Sequence, residues 1–217
     1  EGPQLVERRL YSMGTWVDLA VVATPGTAQA ALDDAETLLR GFELDYYAWA
    51  DDGELARLNR VLAAGAETTV SPEMAALLTD AKRLSAATGG AFDPGVGALV
   101  ELYGFHDAAA AEPHAPAPAD IEAWLSTGQS IAAVEIDGQR VSAEVPVLLD
   151  LGGIAKGEAV DRLVDLLGRH GIRAGLVNAG GDLRVLGQRV ERPWRIGIQD
   201  PREDSVLGVI ELADGEA

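Results

Sequence analysis

Between Val147 and Gly187 the chain reads VLLDLGGIAKGEAVDRLVDLLGRHGIRAGLVNAGGDLRVLG, with two glycine pairs on either side of a single lysine. Gly152-Gly153 and Gly180-Gly181 let backbone approach a ligand without Cβ clashes and expose successive N–H groups. Lys156, one turn into a helix, offers a point charge. Amide donors, a helix N-terminus and one cation held together suit a phosphate or pyrophosphate. Asp150, ahead of that helix, can accept a hydrogen bond from an amide or hydroxyl. The spacing matches neither a Walker loop nor a Rossmann G-x-G-x-x-G. A tight strand-to-helix turn with a surface lysine accounts for it as well. Asn178-Ala179-Gly180-Gly181-Asp182 reads first as ordinary turn chemistry.

Two further stretches carry groups of interest. Tyr46-Tyr47-Ala48-Trp49-Ala50-Asp51-Asp52 is an aromatic cluster on a loop, where Trp49 either stacks on a planar ring or packs in the core. Ala91-Phe92-Asp93-Pro94-Gly95-Val96-Gly97 resembles a structured loop with one acid able to bind something. The three histidines, His106, His114 and His170, have no metal-ligand spacing. The last two read as solvated. No G-x-S-x-G elbow supports a Ser-His-Asp hydrolase.

These residues need elements to hold them. The stretch from Val147 predicts a buried strand, a Gly-Gly turn, a helix, a second strand and a second Gly-Gly turn. Upstream, Leu10–Ala23 ends in strand-like alternation and Pro25-Gly26 breaks the chain. Apolar residues from Ala28 to Phe42 at helical spacing predict a helix over Thr27–Phe42. A short helix places Leu55, Leu58, Val61 and Leu62 on one side. Ser71-Pro72-Glu73 is a helix start, and that helix runs to Thr88 and stops at Gly89-Gly90. Residues 107–119 form an Ala/Pro-rich loop or linker. Asp137-Gly138 signals a hairpin within Ile131–Val141. Trp194–Gln199 and Val206–Leu212 read as strands. The mixed order of strands and helices, with hairpins, indicates an α+β fold.

Bulk properties set limits. With 217 residues, 47% hydrophobic and 24% charged, the chain can bury a real core. Its net charge of −18 would repel a phosphate backbone, so no nucleic-acid partner is expected. The absence of cysteine excludes disulfides, thiolate nucleophiles and Fe–S clusters. No apolar run reaches the roughly 18 residues of a membrane span, and the opening EGPQLVERRL is not a signal peptide.

Taken together, several motifs resemble the ApbE-type FAD:protein FMN transferases. They are Met13-Gly14-Thr15; Trp49 followed by Glu54-Leu55-Ala56-Arg57-Leu58-Asn59; Gly89 to Pro94; Leu102-Tyr103-Gly104-Phe105; Asp150 to Gly157; Asn178 to Asp182; and Trp194 to Ile198. The resemblance implies one domain with a T-fold-like mixed sheet and flanking helices, built from 1–106 and 120–217. It implies that Met13, Trp49, Ala91, Phe92, Asp93, Asp150 and Lys156 contact FAD, with Trp49 against the isoalloxazine. It also implies that the Gly153 carbonyl helps bind Mg²⁺. The implied reaction moves FMN from FAD to a threonine hydroxyl of an acceptor flavoprotein of a respiratory electron-transfer complex, and AMP leaves. No residue is assignable as the catalytic base. Periplasmic or cell-envelope placement follows from the same resemblance, as does a lipid anchor upstream of Glu1. The family continues past this point with an H-I-I-D-P-x-T-G segment and a late Asp/Thr set, of which Asp200-Pro201-Arg202 is a partial lookalike. The expectation is therefore a C-terminally truncated member. Mg²⁺-dependent FAD pyrophosphatase and non-catalytic FAD binding stand as alternatives.

Overall fold

Only Met13 and Gly14 separate two strands that pair antiparallel, β1 (Gln4–Ser12) and β2 (Thr15–Ala23), with Ser12 opposite Thr15. Both turn residues have positive φ, 53° and 70°, which matches the twist of the flanking strands. The strand expected near Ala23 is β2; β1 was hidden by the run Glu7-Arg8-Arg9, which breaks apolar alternation. The structure, a computed structural model, describes residues 2–105, 115–189 and 192–213.

Helix α1 (Pro25–Tyr46) is longer at both ends than the Thr27–Phe42 expected from its apolar spacing. Proline suits a first helical turn, where its missing N–H needs no partner. Thr24 caps that turn: its carbonyl accepts from the Ala28 N–H at 2.9 Å and its hydroxyl from the Thr27 N–H at 3.4 Å. Pro25-Gly26 is thus the helix's beginning and not a break. At the other end Tyr46 is buried, which removes it from the expected loop cluster.

The elements that follow are α2 (Glu54–Ala63), β3 (Thr68–Thr69), α3 (Pro72–Ala87), α4 (Gly97–Leu102), α5 (Pro118–Leu125), β4 (Val134–Asp137) and β5 (Arg140–Ala143). The chain continues with α6 (Gly152–Arg169), β6 (Gly175–Ala179), β7 (Asp182–Leu186), β8 (Trp194–Gln199) and β9 (Val206–Leu212). Short 3₁₀ turns occupy Pro94–Val96 and Ile131–Ala133. Helix α3 starts as expected, with the Ser71 hydroxyl accepting from the Met74 N–H at 3.1 Å. It ends at Ala87, capped by Thr88. Helix α5 was not foreseen. Its first residues, Pro118 and Ala119, fall in the stretch read as linker, and 107–114 lie outside the described residues. The β4–β5 turn is Gly138-Gln139, since Asp137 pairs with Arg140. With φ +62° at Gly138, the turn sits one residue later than the Asp-Gly signal suggested.

The chain divides into two compact units, Glu1–Phe42 with Lys156–Ala217, and Glu43–Ala155. In the first, an antiparallel sheet runs β1-β2-β6-β7. One face buries Val17, Leu19, Val21 and Val177 with Ala28, Leu32 and Leu39 of α1 and Val160, Leu163 and Leu167 of α6. The other face packs Ala20 and Val185 with Trp194 and Leu212 of the β8–β9 hairpin. In the second unit a small sheet runs β3-β5-β4, and α2 and α3 supply buried Leu55, Leu58, Leu62, Met74 and Leu78. Among the described residues every strand pairing is antiparallel, in keeping with the α+β expectation.

Candidate functional site

The strand expected before Gly152 does not form. Val147, Leu149 and Leu151 are buried alternately, as in a strand, yet the segment joins no sheet. Its polar groups are met in another way. On one edge the Leu148 carbonyl accepts from the Gly97 N–H at 2.9 Å, and the Asp150 N–H donates to the Pro94 carbonyl at 2.8 Å. On the other edge Asn59 takes both backbone groups of Leu149. Its Nδ2 donates to the Leu149 carbonyl and its Oδ1 accepts from the Leu149 N–H, each at 2.9 Å. Buried backbone groups need such partners. Gly97 allows the close approach, because a Cβ there would lie 2.6 Å from the Leu148 carbonyl oxygen.

Gly152-Gly153, expected as a turn, is instead the first turn of α6. Asp150 caps it, its Oδ1 accepting from the Gly152 N–H at 2.7 Å. A carboxylate already at the helix head competes with an anionic ligand for those amides. Asp150 is therefore suited to a ligand donor, and the helix end alone is a weaker phosphate site than the glycines suggested. A Cβ on Gly153 would meet Phe92 at 3.2 Å, so this glycine admits an aromatic ring beside the helix start. Ala91 is exposed. Asp93 is committed internally: its Oδ1 accepts from the N–H groups of Gly95 (2.7 Å) and Ile131 (2.8 Å), and its Oδ2 from the Ser130 hydroxyl at 2.5 Å. Trp49 is half-buried on the loop between α1 and α2.

In the other unit, Lys156 Nζ lies 3.5 Å from Asp182 Oδ2. Asp182 opens β7 just after Gly180-Gly181, whose φ values are 62° and 104°. The Gly181 N–H donates to Asn178 Oδ1 at 2.9 Å, and the Gly180 N–H to the Trp16 carbonyl at 3.1 Å. These contacts bear out the turn reading of residues 178–182. A Cβ on Gly180 would lie 2.5 Å from Thr15 Oγ1, so this turn and the start of β2 are tightly fitted. An open cavity of ≈ 450 Å³ lies beside it, lined by Gly157, Asp161, Gly181, Asp182, Arg184 and Ile210 among others. Met13 packs partly buried against the core under this sheet, in a backbone region that bulky residues seldom occupy.

Sequence reasoning missed the residues that anchor these parts. Glu54 Oε2 accepts from the Ser71 hydroxyl at 2.7 Å, and its other oxygen from the Ser71 N–H. Asn59 had a visible signal: it is a polar residue on the apolar face of α2, beside Leu55, Leu58 and Leu62. Thr15 was marked only as part of the Met13-Gly14-Thr15 motif, and Ser130 had no signal. His170, expected to be solvated, is hydrogen-bonded to Asp34 at 2.9 Å; His106 and His114 lie outside the described residues. Among the described residues no three His, Cys, Asp or Glu side chains gather as a metal site, and no helix is long and apolar enough to cross a membrane.

Residues 13–217 match the ApbE family. An FAD:protein FMN transferase of Rhodobacter capsulatus is 39% identical over 98% of this chain, a match that spans 40% of that relative. One from Vibrio cholerae is 34% identical over 94% of the chain and 62% of its own length. The chain thus spans about two fifths to three fifths of these relatives. Among solved structures, the ApbE protein of Thermotoga maritima superposes with a TM-score of 0.91 at 30% identity, over 98% of this chain and 69% of that one. The flavin transferase ApbE of Vibrio cholerae gives 0.85, also at 30% identity, over 98% and 70%. With its sequence motifs in order and its fold reproduced, the chain belongs to the ApbE family.

Proposed function

We propose that this chain serves a FAD:protein FMN transferase, moving FMN from FAD to a threonine hydroxyl of an acceptor flavoprotein with release of AMP. The observation that carries this reading is the family match over residues 13–217, with relatives that bear that name. In the reaction the threonine oxygen bonds to the phosphorus of the FMN half while the P–O bond to AMP breaks. The hydroxyl proton passes to a base, and AMP leaves with the bridging oxygen. Lys156 balances charge on the pyrophosphate, exchanging its loose contact with Asp182 for a phosphate oxygen. Asp150, with lone pairs beyond the one held by Gly152, accepts from a donor group of the flavin nucleotide. Phe92 beside Gly153 and Trp49 on its loop offer ring faces to the planar parts of FAD. Asp93, Ala91 and Met13 act through the backbone they shape.

Mg²⁺ belongs to the proposal as a partner of the substrate. The described side chains do not make a resident metal site, so no step here is routed through the ion. Mg²⁺ is commonly held by one or two carboxylates together with substrate phosphates, and the Gly153 carbonyl is the proposed protein ligand. The same reading places the acceptor in a respiratory electron-transfer complex and the protein at the periplasmic or cell-envelope side, held by a lipid anchor upstream of Glu1. Cell fractionation checks the last point.

The test is incubation of the chain with FAD, Mg²⁺ and a threonine-containing acceptor peptide, read by mass spectrometry. A peptide heavier by FMN supports the proposal. Free FMN and AMP without adduct assign a pyrophosphatase, and FAD binding without turnover assigns a binding protein. No FAD binding at all refutes the reading.

A further inference from the structure

Asn59 stands out among the polar residues of the second unit. It is 4% exposed, sits among leucines on α2, and both of its amide atoms are used on one residue, Leu149. An extended chain turns alternate peptide groups to opposite edges. Here the Leu148 carbonyl and the Asp150 N–H face the Pro94–Gly97 turn, and both backbone groups of Leu149 face Asn59. One side chain therefore supplies, at Leu149, the donor and the acceptor that a neighbouring strand would. A one-residue slip of an extended segment reverses every side chain. It would carry Asp150 away from the head of α6 and put Leu149 or Leu151 in its place.

We propose that Asn59 is a positioning residue for the flavin nucleotide: by fixing the register of Val147–Leu151 it sets where Asp150 and the first turn of α6 meet FAD. This rests on the FAD reading above. Asn59 does not touch the reacting atoms, and its effect passes through the backbone of Leu149.

Asn59→Asp tests the idea because a neutral carboxylic acid has the same donor–acceptor pair as the amide. Its O–H can donate to the Leu149 carbonyl and its C=O can accept from the Leu149 N–H. The ionised form only accepts, and it sets an oxygen against the carbonyl. FAD affinity of the full chain is followed by flavin fluorescence from pH 8 to pH 5.5, with wild type as reference. Asn59→Asp is expected to bind FAD at least about tenfold more weakly than wild type at pH 8, the scale of one buried bond broken with its partner stranded. At pH 5.5 it should return to within about threefold of wild type. Burial favours the neutral acid, which brings the transition into this window.

Hydrogen exchange of the Leu149 amide, measured without ligand, should follow the same pH course. Should the Asp variant fail to fold at pH 8, Asn59→Ser, which serves only one of the two bonds, must show the weakened affinity at neutral pH. Wild-type affinity at pH 8 in folded Asn59→Asp, or at neutral pH in folded Asn59→Ser, overturns the positioning role even if stability falls. Failure of wild type to bind FAD refutes the functional reading instead. In that case the exchange data alone decide the register claim, and unchanged Leu149 protection in Asn59→Asp at pH 8 overturns it.

Discussion

Replacing Asp93 with alanine separates an anchor from a ligand contact, two roles that a sequence motif cannot distinguish. The carboxylate accepts from Gly95 N–H, Ile131 N–H and the Ser130 hydroxyl at 2.7, 2.8 and 2.5 Å. Ile131 is fully buried and Gly95 is buried, so Asp93→Ala strands two amides. Each costs about 1–3 kcal/mol when left without an acceptor. The Ser130 hydroxyl can rotate to another partner, and water entering the vacated space offsets part of the loss. The expected destabilisation is about 2–4 kcal/mol, seen as a fall in melting temperature of about 4–16 °C for a chain of this size. Asp93→Asn keeps Oδ1 as acceptor for both amides, and its NH₂ can donate to Ser130. It should lie within about 1 kcal/mol of wild type. Urea unfolding followed by far-UV circular dichroism gives both values, and FAD titration of the folded proteins gives the second axis. If Asp93→Ala kept wild-type stability and lost FAD affinity, the anchor reasoning would be wrong and Asp93 would be a direct contact.

Three other outcomes are expected. Lys156→Met should weaken FAD binding about tenfold and flatten its dependence on salt, as measured by fluorescence titration at two ionic strengths; unchanged affinity would remove the lysine from the site. Gly180→Ala should destabilise the fold by about 2–4 kcal/mol, because the new methyl meets Thr15 Oγ1 in a left-handed backbone. Adding Thr15→Ala should recover part of that loss in a double-mutant cycle, and strict additivity would count against the clash. The Asp33 carboxyl is held below the usual carboxylate range by hydrogen bonds from Arg8 and then Gln29. Its stabilising contribution is therefore complete above the ordinary carboxylate value and is lost as pH falls through the depressed one. NMR titration of Arg8→Ala should return Asp33 towards the ordinary value; no movement would exclude Arg8 as the main cause.

Much of this architecture was legible from local patterns. Apolar spacing located α1 and α2, cap and stop residues located α3, and Trp194–Gln199 and Val206–Leu212, read as strands, are β8 and β9. What escaped was set by partners distant in sequence. Val147–Asp150 has the composition of a strand and the burial of one, but among the described residues no strand pairs with it. Its edges are met by Asn59 and by the Pro94–Gly97 turn, and no local window contains that information. The first glycine pair misled in a similar way. Gly152 and Gly153 read as a turn by composition, whereas Asp150 caps them into a helix and Phe92 occupies the space a side chain would need. At the second pair, consecutive glycines between two strands leave little but a tight hairpin, and the reading was right. The motif from Glu54 to Asn59 was recognisable as a pattern long before its work was. Its two polar ends hold Ser71 and Leu149.

The neighbours within the larger sheet arrive at very different times. Val17 of β2 pairs with Ala179 of β6, so the second edge of β2 is satisfied only after the 162 residues that separate them have been made. At ordinary ribosomal speeds of about 5–20 residues per second, the delay is roughly 8–30 s. Throughout that interval the nascent hairpin presents Val17, Leu19 and Val21 with unpaired amides, a template for cross-strand association between growing chains. Yield in a heterologous host should therefore be limited by events during translation, and it should respond to slower initiation or added chaperone.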